Sequence, residues 1–216
     1  MKKQDIWMIL GTVFVIFLLI YNPTSSRFFK FTNQYKLLGG FIKFFVFASF
    51  GDVLSHRFRF KNYAIKGLFF KALVWGFIGI VIVFVFSIFT TGVTYLQTDA
   101  KLLPFAGSHL AFAFFTSLFM NIIFAPTMML FHRITDHYID SKSTEPSHRF
   151  IDSVKTVDYH GFITFVVFKT IPLFWIPAHT LTFMLNDTYR VFFASLLGVA
   201  LGLILGIAKT QKRKEA

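Results

Sequence analysis

The stretch Leu68–Phe89, LFFKALVWGFIGIVIVFVFSIF, decides the fold. Beyond Lys71 it carries no charge, and Ser87 is its one hydroxyl. A helix rises about 1.5 Å per residue, so about 20 apolar residues cross a hydrocarbon core of about 30 Å. A soluble helix of this length would show polar residues at helical spacing on its outer face, and none recur here.

The rest of the chain repeats the pattern. Of its 216 residues, 55% are hydrophobic, 20% aromatic and only 15% charged, and the mean hydropathy is +0.63. Further apolar blocks are Ile6–Tyr21, about Leu37–Leu54, Ser108–Phe131, Phe162–Leu185 and Val191–Ala208. The expectation is an all-α, polytopic transmembrane helical bundle of about six spans. Residues 1–36 read as an N-terminal membrane anchor and linker, and residues 37–216 as the helical membrane domain. The first block follows Lys2 and Lys3, as a signal peptide would. Its long apolar run, with no small-residue cleavage site after it, favours a retained anchor. The polar stretch from His132 to His160 reads as a helical extension of the fourth block, a turn near Glu145-Pro146-Ser147 and a short amphipathic piece.

The net charge of +12 belongs to orientation. With the N-terminus in the cytoplasm, 15 of the 22 Lys and Arg residues fall on the inner side and 5 on the outer. Both termini are therefore expected to be cytoplasmic. No nucleic-acid partner is expected, because the basic residues flank apolar blocks and have no soluble fold behind them. The absence of cysteine removes disulfides, thiolate metal sites and thiol nucleophiles. The N-terminus is not Arg-rich, so a bacterial cytoplasmic membrane is the first expectation, and a mitochondrial inner or peroxisomal membrane the alternative.

No HExxH, paired-carboxylate, GxSxG or phosphate-loop pattern occurs, so no catalytic set, enzyme activity or cofactor is expected. His132, Asp136 and Asp140 share a helix face and are of metal-ligand type. The same residues are ordinary on a solvated juxtamembrane helix, and no metal is assigned to them.

Polar groups inside the blocks are the informative ones, because an ionisable group in a span usually faces protein or water. Ser49, Asp52 and His56 share one face of the second block. Ser117 and Asn121 do so in the fourth, where Pro126 frees a carbonyl one turn earlier. In Phe168–Phe183, FKTIPLFWIPAHTLTF, Pro172 and Pro177 free two more carbonyls. Trp175, His179, Thr182 and Asn186 follow on one face, which should point into the bundle. Lys169 has a stem long enough to snorkel. The expected polar interior or pore is Asp52, His56, Asn121, Lys169, His179, Thr182 and Arg190, with kinks at Pro126, Pro172 and Pro177. Ala194, Gly198, Gly202 and Gly206 form a small-residue ridge for helix packing within the bundle or in a homo-oligomer. Ala72, Gly76 and Gly79 form a weaker version.

Together these landmarks resemble the Mpv-seventeen-type family of peroxisomal and mitochondrial inner-membrane proteins. Gly51-Asp52 matches that family's Gly-Asp pair, and Gly76–Gly79 (GFIG) matches its Gly-Phe-x-Gly element. Phe124-Ala125-Pro126 stands intact, and Trp175, Pro177, His179, Thr182-Phe183 and Arg190 occupy the places of its last motif. The order agrees from about residue 37 to 208. His56 replaces a family Gln, Met120-Asn121 an Asp-Gln pair, and His179 and Thr182 a Gln and an Asn. The Pro after Gly79 and the Val-Pro step before the Arg are missing. The resemblance implies a membrane protein that forms pores or influences small-solute passage, without known enzymatic chemistry. The expected function is thus a channel or transport-type protein, with the lipid bilayer and a small solute as partners. The alternative is a non-catalytic structural or assembly protein that works through helix–helix packing.

Overall fold

The computed structural model describes residues 21–212 together with Asp5, Ile6 and Val13; the side chains of residue 59 and of residues 202–212 lie outside the description. The expected first span, Ile6–Tyr21, therefore falls largely outside the described residues, as do the packing partners of Gly202 and Gly206. Among the described residues the fold is all-α, without a strand.

The chain runs through α1 (Asn22–Gln34), α2 (Lys36–Lys43), a π-helical stretch Phe44–Ala48, and α3 (Ser49–Phe60). Then come α4 (Leu68–Thr98), α5 (His109–Ile123), α6 (Ala125–Lys142) and α7 (Phe150–Thr156). The single turn α8 (Tyr159–Gly161) leads into a second π-helical stretch, Phe162–Trp175. This continues into α9 (Ile176–Met184), and α10 (Asp187–Lys212) closes the chain. Local chemistry sets many boundaries. Pro23 stands in the first turn of α1, where its missing N–H costs least. α3 stops at Lys61, whose φ of 61° is left-handed. Gly67 turns the chain at φ +65° into α4, and a side chain there would also strike Ile139. The Ser108 hydroxyl caps α5 by accepting from the Ala111 N–H at 3.3 Å.

Among the described residues, three helical segments are long and apolar enough to cross a membrane: Lys36–Phe58, Leu68–Thr98 and Tyr159–Met184. The pair α5 and α6, bent by 48°, makes a fourth when counted as one broken span. That bend falls at Phe124, with Pro126 in the first turn of α6. The two prolines of the third segment act differently from the kinks expected of them. Pro172 lies inside the π-helical stretch and Pro177 in the first turn of α9, so Tyr159–Met184 remains one apolar segment of 26 residues. Wider π winding relieves the clash between a proline ring and the carbonyl one α turn earlier. The outward side is apolar: Phe168, Leu173 and Leu181 are 70%, 78% and 67% exposed, as suits side chains facing lipid.

α4 is the centre of the bundle. It packs against α2, the first π stretch, α5 and α6, while α9 lies along α5 and α10 along α3. Phe44, Ile78, Ile82, Phe86, Met120 and Phe183 form the middle of the core. Glycines allow the closest approaches. A Cβ on Gly40 would lie 2.6 Å from the Gly79 carbonyl oxygen, and one on Gly79 would meet the Gly40 carbonyl. Gly51 of α3 faces Val199 of α10, with the backbone nitrogen 3.0 Å from where its Cβ would be.

At Gly198 of the expected ridge, an added Cβ would meet nothing within 4 Å among the described residues. Ala194 does join the core. α10 turns Val199 toward α3, and residue 198 points about 100° away. The segment before the second block is the helix α1, whose Phe29 ring meets Tyr189 and Phe192 at 4.9 and 5.6 Å.

α6 carries the fourth segment on to Lys142, and α7 follows the turn at Glu145–Ser147. Asp152 accepts the Arg149 N–H at 3.1 Å and the Arg149 guanidinium at 3.2 and 3.3 Å. The guanidinium first, and the backbone N–H second, hold its carboxyl below the ordinary value. A depressed carboxylate contributes stability above its unfolded pKa, about 3.9, and loses it as pH falls through the lower folded value. A carboxyl-carbon NMR titration should therefore place Asp152 below about 3.9, and Arg149→Ala should return it toward that value. An unshifted midpoint in the intact protein would contradict this cap.

Candidate functional site

A cavity of about 760 Å³ opens within the bundle, bounded by α3, α4, α6, the second π stretch, α9 and α10. Phe44, Ala48, Ile82, Phe162 and Val166 make it largely apolar. Its polar groups come from separate elements: Asp52 from α3, Trp75 from α4, His132 and Asp136 from α6, and His179 from α9. Lys61 and Arg133 add cations at the end where α3 stops and α4 begins.

One polar wall is built by two rows of four-spaced residues. Lys71 and Trp75 stand one turn apart on α4; His132, Asp136 and Asp140 stand one turn apart on α6. The two rows face each other. The Trp75 Nε1–H donates to Asp52 Oδ2 at 2.6 Å, and the Trp75 ring lies 4.1 Å from that of His132. The Lys71 ammonium pairs with Asp140 at 2.9 Å and lies 3.9 Å from Asp136. His132 Nε2 and Asp136 Oδ1 are 3.8 Å apart, too far for a hydrogen bond, and both atoms are buried without a hydrogen-bond partner among the described residues. Lys71 thus brings its own cation to the acidic face of α6. Among the described residues, no three His or carboxylate side chains are grouped to hold a metal ion.

The opposite wall is a relay of neutral groups. His179 is 7% exposed and stacks on Trp175 at 5.4 Å. Its Nδ1 lies 3.2 Å from Asn121 Oδ1. The Asn121 amide donates to the Ser117 carbonyl at 2.8 Å, and the Ser117 hydroxyl donates to the Ile176 carbonyl at 2.7 Å. The amide group is committed as a donor, so Asn121 Oδ1 is an acceptor and His179 Nδ1 carries the hydrogen. Nε2 is left as the ring's acceptor.

The seven residues expected to line one interior divide. Asp52 and His179 share this cavity, and Asn121 stands behind His179. Thr182 is buried, but its hydroxyl donates back to the Ala178 carbonyl at 3.0 Å. His56 is turned out of the cavity; its Nδ1 lies 3.1 Å from the Asn62 carbonyl, and its ring lies 4.7 Å from that of Phe60. Lys169 is exposed on the outer side, and Asn186 is exposed too. Arg190 lines a different, smaller cavity.

Trp75, His132 and Asp136 belong to the site, although the sequence did not join them to Asp52. Their spacing on each helix was visible, but the register of α4 against α6 was not. No known family, curated protein or solved structure matches the chain.

Proposed function

We propose that this is a multi-pass membrane protein whose bundle cavity admits small solutes, as a channel or transport-type protein. The observation that carries the reading is a cavity that gathers Asp52, His132, Asp136 and His179 from three helices inside an apolar bundle. Small-molecule sites measure about 300–1,000 Å³ and pair apolar walls with a few polar groups. An ionisable residue in a span costs on the order of 2.5–3.5 kcal/mol on insertion scales, which water or a solute reaching it offsets. The proposal includes six spans with both ends cytoplasmic, in a bacterial cytoplasmic membrane or, alternatively, a mitochondrial inner or peroxisomal one. The cation bias supports that orientation. So does Asp5, which accepts from Arg57 at 2.7 and 2.8 Å and from the Tyr63 hydroxyl at 2.8 Å. Those bonds hold Asp5 beside the cation-rich loop after α3. Kinship with the Mpv-seventeen type belongs to the same proposal, since Asp52, Trp175 and His179 of the resembling motifs all line the cavity. The structural or assembly alternative has less support, because Gly198 also lines the cavity instead of a helix seam.

The test uses purified protein in vesicles. Wild-type protein should release small polar solutes faster than protein-free vesicles do. Gly198→Phe, which fills open space without displacing backbone, should lower that flux about tenfold (about 1.4 kcal/mol) at equal incorporation. Flux equal to that of empty vesicles would reject the reading. Lys61→Cys and Lys214→Cys should label only from the cytoplasmic side; outside labelling of either would reject the six-span arrangement.

A further inference from the structure

A second cavity, of about 270 Å³, lies toward the other end of the bundle. It is lined by Lys43, by Thr90 of α4 and by Arg190 near the start of α10. Thr90 stands about 28 Å along α4 from Lys71 at 1.5 Å per residue. Lys36, Lys43 and Arg190 face a single lining carboxylate, Asp187, so the walls carry an excess of two positive charges.

Lys43 is the anomaly. It is only 3% exposed. Among the described residues, no carboxylate, carbonyl or hydroxyl bonds its ammonium; its neighbour is the Phe29 ring, 5.8 Å away. Arg190 donates through Nε to the Leu185 carbonyl at 3.0 Å and pairs through Nη1 with Asp187, which is 86% exposed. Asn33 and Thr188 bring an amide and a hydroxyl to the same space. The first turn of α10 borders it, so the helix dipole adds to the positive field. A buried ammonium without a counter-charge is unfavourable, and an anion is what this wall lacks. An arginine fork beside a lysine point charge suits a multi-oxygen anion.

We propose that this pocket binds a phosphate group, carried either by an anionic lipid headgroup or by inorganic phosphate. The two excess charges match a phosphate with up to two negative charges. With Lys36–Phe58 read as a span, the site at its start falls at headgroup depth, and its chemistry is independent of solute flux through the larger cavity.

The experiment uses the full chain purified in detergent. Thermal unfolding is followed with inorganic phosphate, with short-chain phosphatidic acid, and with chloride at equal ionic strength. Native mass spectrometry reads any phospholipid that copurifies. Phosphate or phosphatidic acid should raise the unfolding midpoint by about 3 °C or more over chloride. A shift with inorganic phosphate assigns free phosphate; a shift or copurification with the lipid alone assigns the headgroup. Lys43→Gln and Arg190→Gln should each weaken binding at least about tenfold (about 1.4 kcal/mol). Lys43→Arg, which keeps the charge, should retain it, as should Lys142→Gln at the exposed end of α6. If Lys43→Gln fails to fold, Arg190→Gln carries the comparison. No stabilisation beyond chloride, or equal binding by wild type and Arg190→Gln, overturns the proposal.

Discussion

Gly79→Leu should abolish the folded bundle, whereas Gly198→Ala should leave it intact. A Cβ on Gly79 runs into the carbonyl of Gly40, and the atom in the way is backbone, which cannot rotate aside. α2 and α4 must then separate along their whole contact. Overpacking of this kind costs about 1–3 kcal/mol and more when backbone must move. Total stability is typically about 5–15 kcal/mol, so this is a large share of it. Gly76→Leu should be milder, since the group it meets at 2.5 Å is the Phe41 ring, a side chain that can turn. At Gly198 an alanine methyl enters open space, and the helix gains about 0.5–1 kcal/mol of propensity. Monodisperse yield in detergent and the unfolding midpoint report all three. Wild-type elution and melting for Gly79→Leu would disprove the α2–α4 contact.

His179→Phe should insert normally and change solute flux by about tenfold or more (at least about 1.4 kcal/mol). The phenylalanine ring keeps the stacking against Trp175 and the edge-on contact with Phe86. It removes the Nδ1–H that meets Asn121 Oδ1, leaving a fully buried amide oxygen unpaired at a cost of about 1–3 kcal/mol. It also removes the ring's acceptor, Nε2. His179→Gln retains an amide donor for Asn121 and should be milder. Flux of both variants at matched protein levels decides the matter. Unaltered flux in both would leave His179 as an ordinary packed side chain.

The two glycine motifs show how far the sequence reaches. The longer ridge, Ala194 to Gly206, is the more regular pattern, yet among the described residues nothing lies within 4 Å of a Cβ added at Gly198. The shorter one holds Gly79, where two backbones meet. Regular spacing shows only that a helix has a smooth face. Which smooth face meets a neighbour depends on how the helices are rotated.

The sequence alone determined what is local. A run of about 18 apolar residues spans as a helix because no other lone segment satisfies its own backbone in lipid. Pro126 marks the place where its block bends, and the stretch from His132 to His160 stands out as polar between two apolar blocks. Tertiary structure alone decided that Asp52 meets Trp75, that His179 rests on Asn121, that Arg190 and Lys43 line a separate pocket, and that Pro172 is absorbed by π winding. Each of these depends on rotation about a helix axis, where one residue turns a face by about 100°. In a soluble bundle, water marks the outer face with polar residues. Lipid tails are as apolar as leucine, so an apolar helix carries no such mark, and its inner face emerges only when the helices pack.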